Sequence, residues 1–246
     1  HAFGFYFNTF ISNNSGYAFY SEGLSRGNLR IFKRQVLDED NTVLALINFE
    51  RFFELYLKNL LSTAHKKLTQ VSTDKSRKGT TALINSITNG SFVGARFEGK
   101  LLSIPFREAI IRFYDLIGQA KSQPNSSLIV KKFNKILQEY SFLDSDDCKA
   151  TLKYLNWYRD RILHNGNKLP SMWLLDYTIT QRVIPIVREI LRIEQPKMNI
   201  EFYYLKTFTK IDILDELCSV KFHFRDLKNK KKQLEVFYKL LKIGHL

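Results

Sequence analysis

Arg159 and His164 are the residues in this sequence whose types and spacing are most suggestive of chemistry. They open and close the segment 159–164, which reads Arg-Asp-Arg-Ile-Leu-His. An arginine can hold two phosphate oxygens through parallel hydrogen bonds. A histidine has an ordinary pKa of about 6.5, so it can move a proton at neutral pH. The pair could therefore bind a phosphate group and transfer a proton beside it.

The helix that carries Arg159 decides whether the two side chains can cooperate. At about 100° per residue, Arg159 falls in the middle of an apolar stripe with Leu155 and Ile162. A charge there needs a partner or a cleft. His164 falls on the opposite side, so a distorted last turn before Asn165-Gly166 is needed to bring both groups to one cleft. In the alternative interpretation, Arg159 is buried against a glutamate of the first long helix and His164 caps the helix end.

The segment from Gly94 to Leu101 comes close to a phosphate-binding loop but lacks its essential parts. It is one residue short, and Leu101 stands where a hydroxyl should hold magnesium. Pro105 interrupts the helix that should follow. We therefore predict a glycine-containing turn here and no nucleotide hydrolysis.

Metal ligation is also poorly supported. Asp144, Asp146 and Asp147 are not followed by the glycine and glutamate of a calcium loop, so we predict that Ser145 or Asp146 caps the next helix. The remaining histidines have no second ligand at a suitable spacing and are interpreted as surface or packing residues: His1, His65, His223 and His245. We expect neither a metal nor another cofactor.

The charge of the chain favours a polyanionic partner. Its 246 residues include 38 Lys+Arg and 24 Asp+Glu, which gives a net charge of +14 that is distributed along the sequence. Nucleic acid is the commonest partner of such a protein. The densest basic run is Lys221 to Lys232, although a solvated helix face is the simpler interpretation of its lysines. The candidate nucleic-acid contacts are Arg161, Lys168, Lys228, Lys230, Lys231 and Lys232.

The hydrophobic pattern predicts a mainly α-helical bundle. A helix is expected over Val43 to Leu68, with Asn41 as its cap and a Glu54–Lys58 pair on its surface. A polar, basic loop is expected over 69–78. Further helices are predicted near 105–120, 127–142, 146–164, 171–194, 201–219 and 225–242, with breaks that include Gln195-Pro196. The predicted domains are a small β-rich or irregular element over 1–39, a helical domain over 40–195 and a basic helical extension over 196–246.

Two absences in the sequence bear on location. No window approaches a membrane span, and the two cysteines form no disulfide framework or zinc motif. We therefore expect no membrane association and a cytoplasmic location.

The segment 159–164 resembles the signature of the HEPN superfamily (higher eukaryotes and prokaryotes nucleotide-binding). That signature is an arginine, a polar residue, three further residues and a histidine. Leu155-Asn156 before the arginine and Ile162-Leu163 before the histidine extend the resemblance, as does the early helix with Glu54 and Lys58. The likeness covers residues 40–195.

The resemblance implies a bundle of four to five core helices that dimerises and brings two motifs together. Active members resemble metal-independent endoribonucleases that leave a 2′,3′-cyclic phosphate. By resemblance Arg159 and His164 are catalytic, and the supporting residues are Asp160, Asn165, Asn156 and Glu54. The implied partners are RNA, a second copy of the chain and an unidentified antitoxin or regulator, in a toxin, stress-response or phage-defence setting.

The sequence departs from some family members at one position, and an alternative function stays open. Some family members carry a tyrosine two residues after the histidine, where a partner enzyme modifies them. This chain has Gly166 there, so that form of control is not supported. Other members serve as non-catalytic modules for dimerisation or for binding nucleotide or RNA, and this is the alternative function.

Overall fold

A computed structural model describes residues 39–74, 79–161 and 178–198 of the chain. These ranges are mainly helical, as the sequence predicted. The α-helices are α1 Glu39–Ala64, α2 Thr80–Thr88, α3 Phe106–Ser122, α4 Leu128–Glu139, α5 Asp146–Asp160 and α6 Ile184–Met198. Two 3₁₀ helices, Lys66–Thr69 and Ser141–Asp144, and a π-helix, Ile179–Val183, accompany them. The two short strands are β1 Arg96–Phe97 and β2 Lys100–Leu101.

The chain divides into two compact units. One unit is residues 51–156. The other combines 1–50 with 157–246, and its described parts are 39–50, 157–161 and 178–198. The predicted domains 1–39, 40–195 and 196–246 remain predictions. The expected break at Gln195-Pro196 is wrong, because α6 continues through Pro196 to Met198.

The unit 51–156 is built on the apolar faces of five helices, α1 to α5. Every third or fourth residue of α1 is buried, which gives that helix one continuous core face. Phe113 of α3 and Phe133 of α4 meet edge to face, with ring centroids 5.3 Å apart. The side chains that are almost completely buried here include Phe53, Leu57, Leu61, Phe106, Phe113, Phe133 and Tyr154.

Local capping sets several helix boundaries. Ser145 Oγ accepts a hydrogen bond from the Cys148 backbone N–H at 3.1 Å, so the predicted cap of this helix is present. The predicted cap of α1, Asn41, is wrong, because α1 begins at Glu39 and Asn41 lies inside the helix. Its end is also earlier than predicted. His65 adopts an extended backbone and its side chain accepts from the Lys67 N–H, which starts the 3₁₀ helix Lys66–Thr69.

Residues 66–104 contain structure that the sequence did not indicate. β1 and β2 form a hairpin whose two turn residues, Glu98 and Gly99, have φ values of 48° and 77°. Positive φ at both positions is the requirement of a tight type I′ turn, so the predicted turn is confirmed. Gln70 bridges Ser103, so the described part of the predicted basic loop pairs with another segment.

Arg112 of α3 holds this segment in place. Its side chain is 8% exposed and donates from Nη1 to the carbonyl oxygens of Leu68 and Gln70, at 2.8 and 3.0 Å. Its Nε lies 2.8 Å from Glu108 Oε1. A buried charge is tolerated when its hydrogen bonds are made, so Arg112 has a structural role.

The described part of the other unit has a small apolar core. The π-helix and α6 form consecutive turns and bury Ile179, Val183, Ile184, Val187 and Ile190. Several predicted elements lie outside the described residues, and they are the N-terminal element, the helices 201–219 and 225–242, and residues 162–164. Among the helices of the described ranges, none is long and apolar enough to cross a membrane.

Candidate functional site

Helix α5 places Arg159 in its last turn. The buried face of this helix is broad and includes Cys148, Leu152, Leu155 and Tyr158, which are at most 1% exposed. The Arg159 side chain is 32% exposed. At about 100° per residue, Arg159 lies between Cys148 and Leu152 on this face, and its side chain is half-buried in the last turn. The buried face also extends beyond the predicted stripe to Tyr154 and Tyr158.

A buried glutamate faces the arginine. Oε2 of Glu50, on α1, lies 3.7 Å from Nε of Arg159, and the Glu50 side chain is only 3% exposed. Carboxylates are seldom buried this deeply without a cationic partner. The contact thus places one negative and one positive group side by side at the end of α5, within one compact unit.

Glu54, which the resemblance named as a supporting residue, has a different ion-pair partner. Its Oε1 lies 2.6 Å from Nζ of Lys58, so the predicted pair at four-residue spacing is confirmed. The contact with Glu50 agrees with the alternative interpretation, in which a glutamate of the first long helix pairs with Arg159, although the sequence did not identify which glutamate. A signal for it exists in the sequence, because Glu50 precedes Glu54 by four residues on the same helix. Successive positions at that spacing differ by about 40° around the axis, which is enough to direct them to different neighbours.

The residues around Arg159 vary in exposure. Asn156 and Asp160 are half-buried and both have interaction partners. Arg161 is exposed, and its guanidinium carbon lies 4.5 Å from the centre of the Trp157 ring. A cation at that distance over an indole is held by the electrostatic attraction of the ring face. Arg161 therefore offers a restrained positive charge two residues after Arg159.

Seven of the candidate residues lie outside the described residues, and they are His164, Asn165, Lys168, Lys228, Lys230, Lys231 and Lys232. Among the residues with described side chains, no three His, Cys, Asp or Glu residues are grouped closely enough to hold a metal ion. The catalytic and binding roles of all these residues stay predictions.

Comparison with known proteins adds no relative. No protein-family model, no curated protein and no solved structure matches this chain. The likeness to the HEPN superfamily accordingly rests on the motif over 159–164 and on its helical setting.

Proposed function

We propose that the protein is a metal-independent endoribonuclease of the HEPN type, in which Arg159 and His164 act on the scissile phosphodiester. The observation that supports this most is the environment of Arg159. Its guanidinium lies beside the buried carboxylate of Glu50, yet 32% of the arginine side chain remains exposed. A neighbouring carboxylate restrains the guanidinium, and in this proposal the partly exposed arginine side chain also contacts a phosphate.

The proposed reaction is an intramolecular phosphoryl transfer. The ribose 2′-oxygen loses its proton and bonds to the adjacent phosphorus, while the bond to the 5′-oxygen breaks and that oxygen gains a proton. The products are a 2′,3′-cyclic phosphate and a 5′-hydroxyl. His164 moves a proton in this scheme, and Arg159 offsets the negative charge that grows on the phosphate oxygens.

The remaining candidates take supporting roles in the proposal. Asp160 and Asn165 orient the imidazole or the substrate, and Arg161 adds positive charge along the RNA strand. A homodimer would bring two motifs together, and a partner protein would regulate the activity in a defence or stress setting. Each of these statements depends on the resemblance of segment 159–164.

A cleavage assay tests the proposal. The purified chain is incubated with structured and single-stranded RNA in the presence of EDTA, and the product ends are identified by mass spectrometry. We expect cyclic-phosphate ends from the wild type and none from His164→Ala. Arg192→Gln serves as a charge-loss control, because Arg192 is 69% exposed on α6. Failure of the wild type to cleave any RNA of the panel would contradict the proposal.

Two conservative substitutions, one at Arg159 and one at its partner Glu50, test the role of the arginine. Arg159→Lys keeps the positive charge beside Glu50 but loses the planar fork that holds two phosphate oxygens. We expect it to lose cleavage at least about 100-fold, a cost of about 3 kcal/mol in the transition state. Glu50→Gln preserves the shape of the buried side chain, so it should lower cleavage less than Arg159→Ala does.

One observation favours a second candidate, a non-catalytic module that binds RNA or nucleotide. The Glu50 carboxylate offsets the charge of Arg159, as expected if this arginine supports the fold. Under this alternative, Arg159→Lys changes neither stability nor RNA binding, and no variant yields product ends. The cleavage assay and a binding assay on the same proteins therefore separate the two candidates.

A further inference from the structure

A second basic site lies within the unit 51–156. It is a pocket of about 600 Å³, a size suited to a small ligand. Its walls come from the end of α1, the 3₁₀ helix Lys66–Thr69, the β1–β2 hairpin and α4. All twelve lining residues belong to the described ranges, and among them five are basic and none is acidic: the basic ones are His65, Lys66, Lys67, Arg96 and Lys132.

The four lysine and arginine side chains that line this pocket form no ion pair with an Asp or Glu of the described ranges. A concave surface of one sign concentrates the electric field and attracts ions of the opposite sign. The pocket is therefore electrostatically suited to an anion.

Helix α1 by itself does not explain the cluster. Basic residues after a helix C-terminus are favourable because they face the negative end of the helix dipole, and this accounts for residues 65–67. Arg96 comes from β1 and Lys132 from α4, which are separate elements. Three segments that are distant in sequence thus contribute cationic side chains to one pocket.

Several contacts hold the pocket walls before any ligand binds. Arg112 fixes the carbonyl groups of Leu68 and Gln70 behind the wall. The Lys67 ammonium lies 5.6 Å from the centre of the Phe92 ring, a distance at which the ring attracts the cation. A preformed site of this kind binds with a smaller loss of conformational entropy.

His65 and Gly94 define the interior further. Nδ1 of His65 accepts the Lys67 N–H at 3.2 Å, which leaves Nε2–H as the hydrogen-bond donor of the neutral ring. At Gly94 a Cβ atom would lie 2.8 Å from Leu101 Cδ2 and 3.1 Å from Gln70 Oε1. The absence of a Cβ at this position therefore lets Leu101 and Gln70 pack closely against the backbone of the pocket wall.

We propose that this pocket binds the phosphate of a nucleotide, either a free nucleotide or one nucleotide of an RNA strand. A phosphate has several strong acceptor oxygens, which suit the converging donors of Lys66, Arg96 and Lys132. The volume leaves room for the sugar and base, and Phe92 with Leu101 supplies apolar wall. The proposal does not depend on Arg159 or on RNA cleavage.

The test compares neighbouring lysines in the full chain. Lys132→Gln and Arg96→Gln each remove a cation from the pocket, whereas Lys131→Gln removes the same charge from an exposed position on α4 outside its lining. Binding of the four ribonucleoside monophosphates is measured by calorimetry, with the nucleosides as controls. We expect about tenfold or greater loss of affinity in the two pocket variants, and no more than about a twofold change in Lys131→Gln.

A short fluorescein-labelled RNA distinguishes the two sources of the nucleotide. The pocket binds a nucleotide within a strand if RNA binds more tightly than the monophosphates and also loses affinity in Lys132→Gln and Arg96→Gln but not in Lys131→Gln. The pocket binds a free nucleotide if RNA binds equally or more weakly and only the monophosphates lose affinity in the two pocket variants. Three results would overturn the proposal. They are equal losses of affinity in Lys131→Gln and Lys132→Gln, equally strong competition by a polyglutamate peptide, and binding of neither the monophosphates nor the RNA. Unchanged thermal melts confirm that each variant is folded.

Discussion

Nε of Arg159 lies 3.7 Å from Oε2 of Glu50, and the two partners differ strongly in exposure, at 32% and 3% of their side chains. The Glu50 side chain is therefore almost fully shielded from water, while the Arg159 side chain is partly exposed. Such a pair suits two roles, because it can fasten α5 to α1 and it can also present a restrained arginine to a ligand. The two roles predict different responses to substitution.

The stability of Arg159 variants should follow the charge at this position. Arg159→Ala removes the cation from a buried carboxylate, so we expect the free energy of unfolding to fall by about 1–2 kcal/mol, a modest cost because the arginine is partly solvated. Arg159→Lys should stay within about 0.5 kcal/mol of the wild type. Urea unfolding monitored by circular dichroism measures both. A lysine variant as unstable as the alanine variant would show that the fold requires the guanidinium itself.

Arg112 should matter more to stability than Arg159. Arg112→Met removes the donor to the Leu68 and Gln70 carbonyls and leaves those acceptors without it. We expect the free energy of unfolding to fall by about 2–5 kcal/mol. Glu108→Gln, at the exposed end of the same contact, should cost less than about 1 kcal/mol. Equal costs in urea unfolding would show that the ion pair, rather than the carbonyl contacts, carries the effect.

The sequence predicted the long helices because their signals are local. The apolar spacing of α1 and the Ser145 cap each act within a few residues. Such signals do not require knowledge of the tertiary fold. The helical class of the described residues followed from them.

The elements that sequence reasoning missed depend on distant contacts. Helix α2 has three threonines, whose β-branched side chains are poor helix formers, and it buries Leu83 and Ile84. Its first residue, Thr80, donates a hydrogen bond to Asp115 of α3 at 2.7 Å. Likewise, Glu50, Glu54 and Lys58 lie at four-residue steps along α1. The direction in which each glutamate points is decided by the helices packed against it.

Cys148 should be chemically inert in the folded protein. Its thiol is buried on α5, and burial raises its pKa to about 12 despite a hydrogen bond with Tyr114 that opposes the rise. The reactive thiolate is therefore almost absent at pH 8. After brief alkylation with iodoacetamide, peptide mapping should find Cys148 unmodified in native protein and modified in urea. Rapid labelling of Cys148 without denaturant would contradict the predicted burial.

His65 should make stability depend on pH in a known direction. Burial lowers its pKa below 6.5, and the charges of Lys67 and Lys132 lower it further, in a pocket that also holds Lys66 and Arg96. The unfolded chain therefore binds a proton at a higher pH than the folded chain does. This contribution to stability is complete above the unfolded pKa of about 6.5 and decreases as the pH falls towards the lowered folded pKa.

The matched variant for this effect is His65→Asn. Asparagine Oδ1 can replace Nδ1 as the acceptor of the Lys67 N–H, but asparagine does not titrate. We expect the thermal midpoint of the wild type to decline more steeply than that of His65→Asn between pH 7.5 and pH 5.5. Nucleoside monophosphate should reduce the difference, because a bound phosphate stabilises the protonated ring. Identical pH profiles without ligand would show that His65 does not titrate differently in the two states.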